Sequence, residues 1–187
     1  MRKTTGWAVV GLLLLASALE LRGATLAGVS LPDAQEVQGT KLVLNGLGLR
    51  TKYMIKVYVA GLYLQRKSSD AQAILAGDEP KRVVMQFLHG VSKGRMADAF
   101  DDSFNANSPA AKRTMKAEID RLLGALEPME SGGQMVFTYV PGTGTTFTVN
   151  GKDKFTVPGP AFAQVIFSVW LGPEPPTPEL KKGMLGQ

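Results

Sequence analysis

The segment from residue 53 to residue 65, YMIKVYVAGLYLQ, constrains the fold more than any other part of the chain. It is rich in aromatic and β-branched residues, and its apolar character is almost continuous rather than alternating. A half-exposed strand would alternate polar and apolar side chains, so this run is typical of a strand that is covered on both faces. We predict the central strand of a sheet here. Tyr53 and Tyr63 are expected to pack inside that structure.

Shorter segments predict the rest of the sheet. Residues 28–37 suggest an irregular entry, and residues 41–44 predict a short strand that runs into Asn45-Gly46, a residue pair typical of hairpin turns. After the central strand, further strands are expected at residues 81–88, 134–140, 145–149 and 155–157. The last three are separated by turn signals, PGTG and Asn150-Gly151, which indicates an antiparallel meander.

Helices are predicted between these strands and after them. Asp70 and Ser92 are suitable N-caps for two helices, and Ser108-Pro109 combines a cap with a first-turn proline for a third. Apolar stripes support the second and third helices: Met96, Phe100 and Phe104, then Met115, Ile119, Leu122, Leu123 and Leu126. Residues 160–172 and 177–182 predict two more. This order favours an α+β fold with helices gathered on one face of an antiparallel sheet.

The N-terminus follows the pattern of a signal peptide. Arg2 and Lys3 precede an apolar run over residues 7–18, which is much shorter than the roughly twenty residues needed to cross a bilayer. We therefore expect export, to a bacterial periplasm, rather than a permanent membrane span. The small residues at 16–18, at Ala24 and at Ala27 place cleavage after residue 18 to 27. This divides the chain into a signal peptide, 1–27, and one domain, 28–187.

Composition excludes several classes of function. The chain has no cysteine and a single histidine, His89, so a disulfide, a thiolate site, a catalytic triad and a conventional zinc site have nothing to build on. A single histidine in an apolar cleft is the minimum for haem ligation, but no other feature selects for haem, and we expect no cofactor and no metal. The net charge of +5 is scattered along the chain, which gives no support for nucleic-acid binding.

Three motifs carry a family resemblance: LNGLGLR at residues 44–50, IKVYVAGLYL at 55–64, and VWLG at 169–172 followed by PELKK at 178–182. In chalcone isomerase-like proteins a glycine-rich turn presents an arginine, a strand of the form K-x-x-x-x-G-[LV]-Y-L follows, and a late helix ends in glycine before a short terminal helix. The chain resembles this family, and its bacterial exported branch, from about residue 31 to residue 186. The resemblance implies an open-faced β-sandwich, a large antiparallel sheet backed by helices.

The resemblance also allows the catalytic residues of the plant enzymes to be compared. Arg50 matches the arginine that holds the anionic oxygen during flavanone ring closure. The other polar groups are replaced: Tyr58 and Val169 stand at the two threonine positions, Asp98 at the asparagine, and Val91 near the tyrosine. A site that works through preorganised hydrogen bonds cannot lose most of its donors and keep its rate, so chalcone cyclisation is not expected.

Non-catalytic members of the family bind fatty acids through the same arginine and a tyrosine, in a cleft between sheet and helices. The resemblance therefore implies a small amphipathic carboxylate ligand, with Arg50 as anion clamp and Tyr58, Val169 and Asp98 as the other candidate ligand-binding residues. Two alternatives stay open. One is an intramolecular lyase or isomerase in which Tyr58 or Asp98 moves a proton, and the other is a ligand-free structural or interaction protein. The balance leans away from an enzyme.

Overall fold

A seven-stranded antiparallel sheet, whose strands are ordered as in the sequence, forms the centre of the fold. The computed structural model describes residues 23–187, so the predicted apolar run of the signal peptide lies outside the described residues. A separate two-stranded ribbon precedes the large sheet. The ribbon consists of β1 (Gly23–Leu26) and β2 (Val29–Pro32), and the sheet of β3 (Ala34–Val37), β4 (Thr40–Lys52), β5 (Ile55–Leu64), β6 (Lys81–Phe87), β7 (Gln134–Val140), β8 (Gly144–Val149) and β9 (Lys152–Val157).

The helices pack on one face of this sheet and enclose the larger of two hydrophobic clusters. They are α1 (Ala71–Ala76), α2 (Lys93–Asn107), α3 (Pro109–Thr114), α4 (Lys116–Ala125), α5 (Ala161–Leu171) and α6 (Pro178–Met184). A smaller cluster on the opposite face includes Val29 and Leu31 of the β1–β2 ribbon. The predicted α+β fold, a large antiparallel sheet backed by helices, is confirmed.

Strand β5 is the buried central strand that its composition predicts. Its residues from Tyr58 to Leu64 are all buried. Tyr58 belongs to the helix-side cluster, and Val59 belongs to the cluster on the opposite face. Both faces are therefore covered, which explains why the segment lacks the alternation of a half-exposed strand.

The predicted turn at Asn45-Gly46 is wrong, because both residues lie inside the long strand β4. Asn45 is buried, and its side-chain amide donates to the carbonyl oxygens of Ser68 (3.0 Å) and Met184 (2.9 Å) while accepting from the Ser68 amide (2.8 Å). These long-range bonds use the polar groups that would otherwise favour a local turn. The register shift between Leu44 and Gly46 records the accommodation as a β-bulge.

The hairpin turn instead falls at Tyr53-Met54, between β4 and β5. Both residues have positive φ angles, 48° and 65°. Tyr53 was expected to pack, but its side chain is 88% exposed, so that expectation is wrong, whereas Tyr63 is fully buried as predicted. The turn lifts Tyr53 beyond the end of the sheet, where no second layer covers it.

Two local details also differ from expectation. Residues 28–37, predicted to be irregular, contain β2 and β3, and the predicted domain boundary at residue 28 lies in the turn of the β1–β2 ribbon. The helix predicted from Ser108 is divided at Met115 into α3 and α4. The Ser108 hydroxyl makes no capping bond, because it pairs with the Ser168 hydroxyl at 3.0 Å. The other predicted caps, Asp70, Ser92 and Thr177, all accept amide hydrogen bonds as expected.

The glycines of the LNGLGLR motif allow α6 to lie directly on β4. A Cβ atom at Gly48 would collide with the backbone carbonyl of Leu180, and one at Gly46 would collide with that of Gly183. The collisions involve backbone atoms, which cannot turn aside as a flexible side chain can. The motif in β4 and the PELKK motif of α6 are therefore the two halves of one contact.

We predict that Gly48→Ala destabilises the fold by about 3 kcal/mol, because the added methyl group must displace α6 from the strand. The matched control is Gly124→Ala in α4, where nothing lies within 4 Å of the added Cβ and the change raises helix propensity. Urea unfolding of the two variants measures the difference. Equal stability of the two variants would contradict backbone contact between β4 and α6.

Candidate functional site

Arg50 and Tyr58 lie directly opposite each other on the β4–β5 hairpin. Opposite residues in an antiparallel pair project to the same face of the sheet, and Tyr58 faces the helices. The guanidinium of Arg50 contributes favourably to the charge environment of the Tyr58 phenol. The structure therefore brings together two of the four predicted ligand-binding residues.

The guanidinium of Arg50 has a neutral partner. Its Nη1 donates to the carbonyl oxygen of Pro176, in the segment that connects α5 with α6. Among the ion pairs of residues 23–187, none involves Arg50. A half-buried arginine that is bonded to a carbonyl keeps its full positive charge and most of its donors available to an anion.

The segment over residues 172–177, GPEPPT, holds this carbonyl in place; we call it the proline-rich segment. Asn107, the last residue of α2, binds both backbone groups of Glu174 with its side-chain amide, each at 2.9 Å. Lys181 of α6 donates to the Gly172 carbonyl at 2.8 Å. The segment is thus fastened at its start, its middle and, through Arg50, near its end.

Tyr58 is a buried phenol that stays protonated at neutral pH. Desolvation by burial raises the pKa of Tyr58 to about 12, and the hydrogen bond from Trp170 and the charge of Arg50 offset only part of that rise. The Trp170 indole Nε1 donates to the phenolic oxygen at 3.3 Å. Because the oxygen accepts this bond, its own hydrogen can be donated to an anion beside Arg50.

Aromatic side chains fill the space between the sheet and α5 around this pair. The Tyr58 ring lies 5.6 Å from that of Phe87, and the Trp170 ring lies 5.6 Å from Phe137 and 6.2 Å from Phe100. All of these side chains are buried. In this conformation the apolar interior is occupied by the protein itself.

The other two predicted residues do not join the pair as polar groups. Val169 is buried in the same cluster as Tyr58 and Trp170, where it supplies only apolar surface. Asp98 lies on the exposed side of α2, whose inner side carries Met96 and Phe100. A contribution of Asp98 to ligand binding stays a prediction.

Other features of the described residues lie away from Arg50. Two surface cavities, of about 480 and 310 Å³, are lined by neither Arg50 nor Tyr58. No group of three or more histidine, aspartate or glutamate side chains within residues 23–187 is placed to hold a metal ion. No helix in that range combines the length and apolar character needed to cross a bilayer. His89 is exposed just beyond β6.

The family model for chalcone isomerase-like proteins matches residues 23–186. The chain belongs to the chalcone isomerase-like family. This match begins at β1, so the β1–β2 ribbon is part of the family unit. No curated protein matches the sequence significantly.

Comparison with solved structures finds the same fold in a plant protein. A fatty-acid binding protein from Arabidopsis thaliana superposes with a TM-score of 0.69 at 14% sequence identity, covering 88% of this chain and 96% of that chain. At this identity the likeness establishes the fold.

Sequence reasoning missed Trp170, Asn107 and Pro176 as parts of the site. Trp170 was identified only as an apolar residue of the late helix, although an indole needs an acceptor when it is buried. Pro176 is 126 residues away from Arg50, and nothing local indicates that its carbonyl meets a guanidinium. The proline-rich composition of residues 173–178 was the available signal, because it indicates a segment of fixed conformation.

We predict that Tyr58→Phe destabilises the protein by about 1–3 kcal/mol, because the fully buried Trp170 indole then has no acceptor. Tyr63→Phe is the matched control. The hydroxyl of Tyr63 donates to the carbonyl of half-buried Pro32, which water can satisfy instead, so the loss should be smaller. Urea unfolding followed by tryptophan fluorescence compares the two, and an equal or larger loss for Tyr63→Phe would contradict the assigned bond.

Proposed function

We propose that this protein binds a small amphipathic carboxylate, most simply a fatty acid, with Arg50 as the anion clamp. The observation that carries the proposal is the pairing of an arginine that lacks a carboxylate partner within residues 23–187 with a buried, protonated tyrosine. A guanidinium accepts a carboxylate in a two-pronged geometry, and a neutral phenol donates a further hydrogen bond.

The carboxylate would replace the Pro176 carbonyl on Arg50. An anionic acceptor makes a stronger bond to a guanidinium than a neutral carbonyl does, so the exchange is favourable once the desolvation of the ligand has been met. The Pro176 carbonyl then serves as a stand-in that keeps the arginine bonded in the absence of ligand. This explains why a cation in this position is stable without a carboxylate partner.

The apolar tail of the ligand would lie between α5 and the sheet, against the aromatic side chains that surround Trp170. Because those side chains occupy the space, the proline-rich segment and the neighbouring end of α5 must move for the tail to enter. Each bond that fastens the segment is a single hydrogen bond to a backbone group. Such bonds contribute modestly and can be exchanged for water.

Two findings support a binding role over catalysis. The protein from Arabidopsis thaliana that shares this fold is a fatty-acid binding protein, which makes the same use of the fold plausible here. A lyase or isomerase would need Tyr58 or Asp98 to move a proton. The pKa of Tyr58, about 12, keeps the phenol from accepting one at neutral pH, and Asp98 is exposed on the outer side of α2.

A ligand-free interaction protein is the second candidate. The observation that favours it is the filled interior, in which Phe100, Phe137 and Trp170 leave the aromatic cluster closed. In that case the Arg50–Pro176 bond would serve only to hold the proline-rich segment on the sheet.

We predict that Arg50→Ala abolishes retention of a carboxylated lipid during detergent-free purification, as seen by native mass spectrometry with solvent extraction. Loss of charge-assisted hydrogen bonds should weaken the affinity for added fatty acid by roughly ten- to one-hundred-fold. The matched control is Arg66→Ala, which removes an exposed arginine whose partner is Glu79 and which should bind like the wild type.

Two outcomes would overturn the binding proposal. A wild-type protein that is empty and refuses added fatty acid leaves the ligand-free interaction protein. Turnover of enone or phenolic substrates that disappears in Arg50→Ala leaves the lyase. Circular dichroism of each variant, recorded alongside, separates loss of binding from loss of fold.

Export to a bacterial periplasm is the setting we infer for this function. The charged start and short apolar run of the N-terminus support it, as does the absence of cysteine from the sequence. The β1–β2 ribbon favours the earliest of the predicted cleavage positions. Its strands pair from Gly23↔Pro32 to Leu26↔Val29, and cleavage after Ala24 or Ala27 would remove part or all of β1.

We predict that the mature protein begins at residue 19, after the Ala16-Ser17-Ala18 site. Intact-mass measurement of the protein from the periplasmic fraction of expressing cells gives the N-terminus directly. A start at residue 25 or 28 would show that β1 is dispensable, and an uncleaved chain in the membrane fraction would contradict export as a free protein.

A further inference from the structure

The tip of the β4–β5 hairpin exposes apolar side chains to a degree unmatched in the part of the chain that the structure describes. Tyr53 is 88% exposed, Met54 95% and Ile55 47%. They are the large hydrophobic residues classed as exposed between residues 23 and 187, and they are consecutive. Isolated exposed apolar residues are ordinary, but a contiguous group on a projecting turn indicates an interaction.

The backbone of the tip makes this choice of residues costly. Two-residue hairpin turns with positive φ at both positions strongly favour Asn-Gly, because other side chains crowd the backbone there. Tyr53 and Met54 adopt φ angles of 48° and 65° in such a turn. The β3–β4 turn at the other end of β4 has the same geometry with Gln38 (φ 47°) and Gly39 (φ 77°). Folding alone therefore does not account for an aromatic residue followed by methionine at the tip.

Lysines flank the apolar tip on both sides. Lys52 precedes it, with its ammonium 5.8 Å from the centre of the Tyr53 ring, and Lys56 follows it on the facing strand. Both are exposed, and the ion pairs found within residues 23–187 include neither. The tip thus combines an apolar point with two available positive charges.

This combination fits a lipid surface better than a protein surface. A stable protein interface buries about 800 Å² on each partner, whereas a two-residue turn presents a narrow convex point. A bilayer accepts such a point without needing a complementary pocket. Tyrosine and lysine are both suited to the headgroup region, where the ring or the methylene stem is buried and the polar end stays hydrated.

We propose that the Tyr53–Ile55 tip inserts into the headgroup region of an anionic phospholipid bilayer, with Lys52 and Lys56 binding the lipid phosphates. Arg50 and Tyr58 lie on the same hairpin, a few residues behind the tip. Docking in this way brings that end of the sheet to the membrane surface. The inference concerns the tip alone and does not depend on the ligand proposed for Arg50.

The test is cosedimentation of the full chain with vesicles of phosphatidylcholine, with and without phosphatidylglycerol. We expect the wild type to sediment with the anionic vesicles and to be released by salt. The double variant Tyr53→Asn/Met54→Gly installs the favoured turn residues, so it should melt at a higher temperature yet bind the vesicles at least about tenfold more weakly. Lys52→Glu/Lys56→Glu should remove the preference for anionic vesicles.

Gln38→Asn is the matched control, because it improves the equivalent turn at the other end of β4 and should leave vesicle binding unchanged. All variants carry the same N-terminus, so differences among them report on the tip. Tyr53→Trp adds a direct readout: its emission should shift to the blue with anionic vesicles. Equal sedimentation of wild type and Tyr53→Asn/Met54→Gly, or an unshifted Tyr53→Trp, overturns the proposal and leaves a protein as partner of the tip.

Discussion

Strand β4 and helix α6 meet backbone to backbone, and the geometry of the Arg50 site depends on that contact. Gly46 and Gly48 leave no side chain between the strand and the carbonyl groups of Gly183 and Leu180. The Asn45 side chain then ties the end of α6 to the loop before α1. With α6 fixed so closely, the segment that precedes it has to run across the end of β4, which brings its carbonyl to Arg50. A glycine pattern in one strand therefore determines what an arginine two residues later can touch.

The electrostatics of the site follow from this packing. Arg50 is kept half-buried beside an apolar cluster, where an anion interacts with it more strongly than it would in water. The same environment suppresses ionisation of Tyr58, so the two strand neighbours present a positive charge and a neutral donor rather than an ion pair. Had Tyr58 been ionised it would neutralise Arg50, and the pair would have no net charge with which to attract a carboxylate.

The elements that sequence reasoning predicted correctly are those whose signals are local. Strand β5 announces itself by composition, and the caps at Asp70 and Thr177 by the residue at the first turn. The failures share a different cause. Asn45-Gly46 resembles a turn but is held straight by partners 23 and 139 residues away. Tyr53 resembles a strand residue but occupies a turn, because the β4–β5 register is set by pairings along the whole hairpin. The Arg50–Tyr58 pairing could be anticipated from the family, but the carbonyl that meets Arg50 could not.

The filled interior determines how such a protein would tune its affinity. If only a fraction of molecules has the proline-rich segment released, the apparent affinity for a ligand falls by that fraction. Asn107 and Lys181 then act on binding without touching the ligand, since each bond they make to the segment favours the closed state. Arg50 differs from them because its bond to Pro176 is lost on opening but is replaced by a stronger one to the carboxylate. The residue that helps to close the site would thus also be the one whose exchange of partners drives its opening.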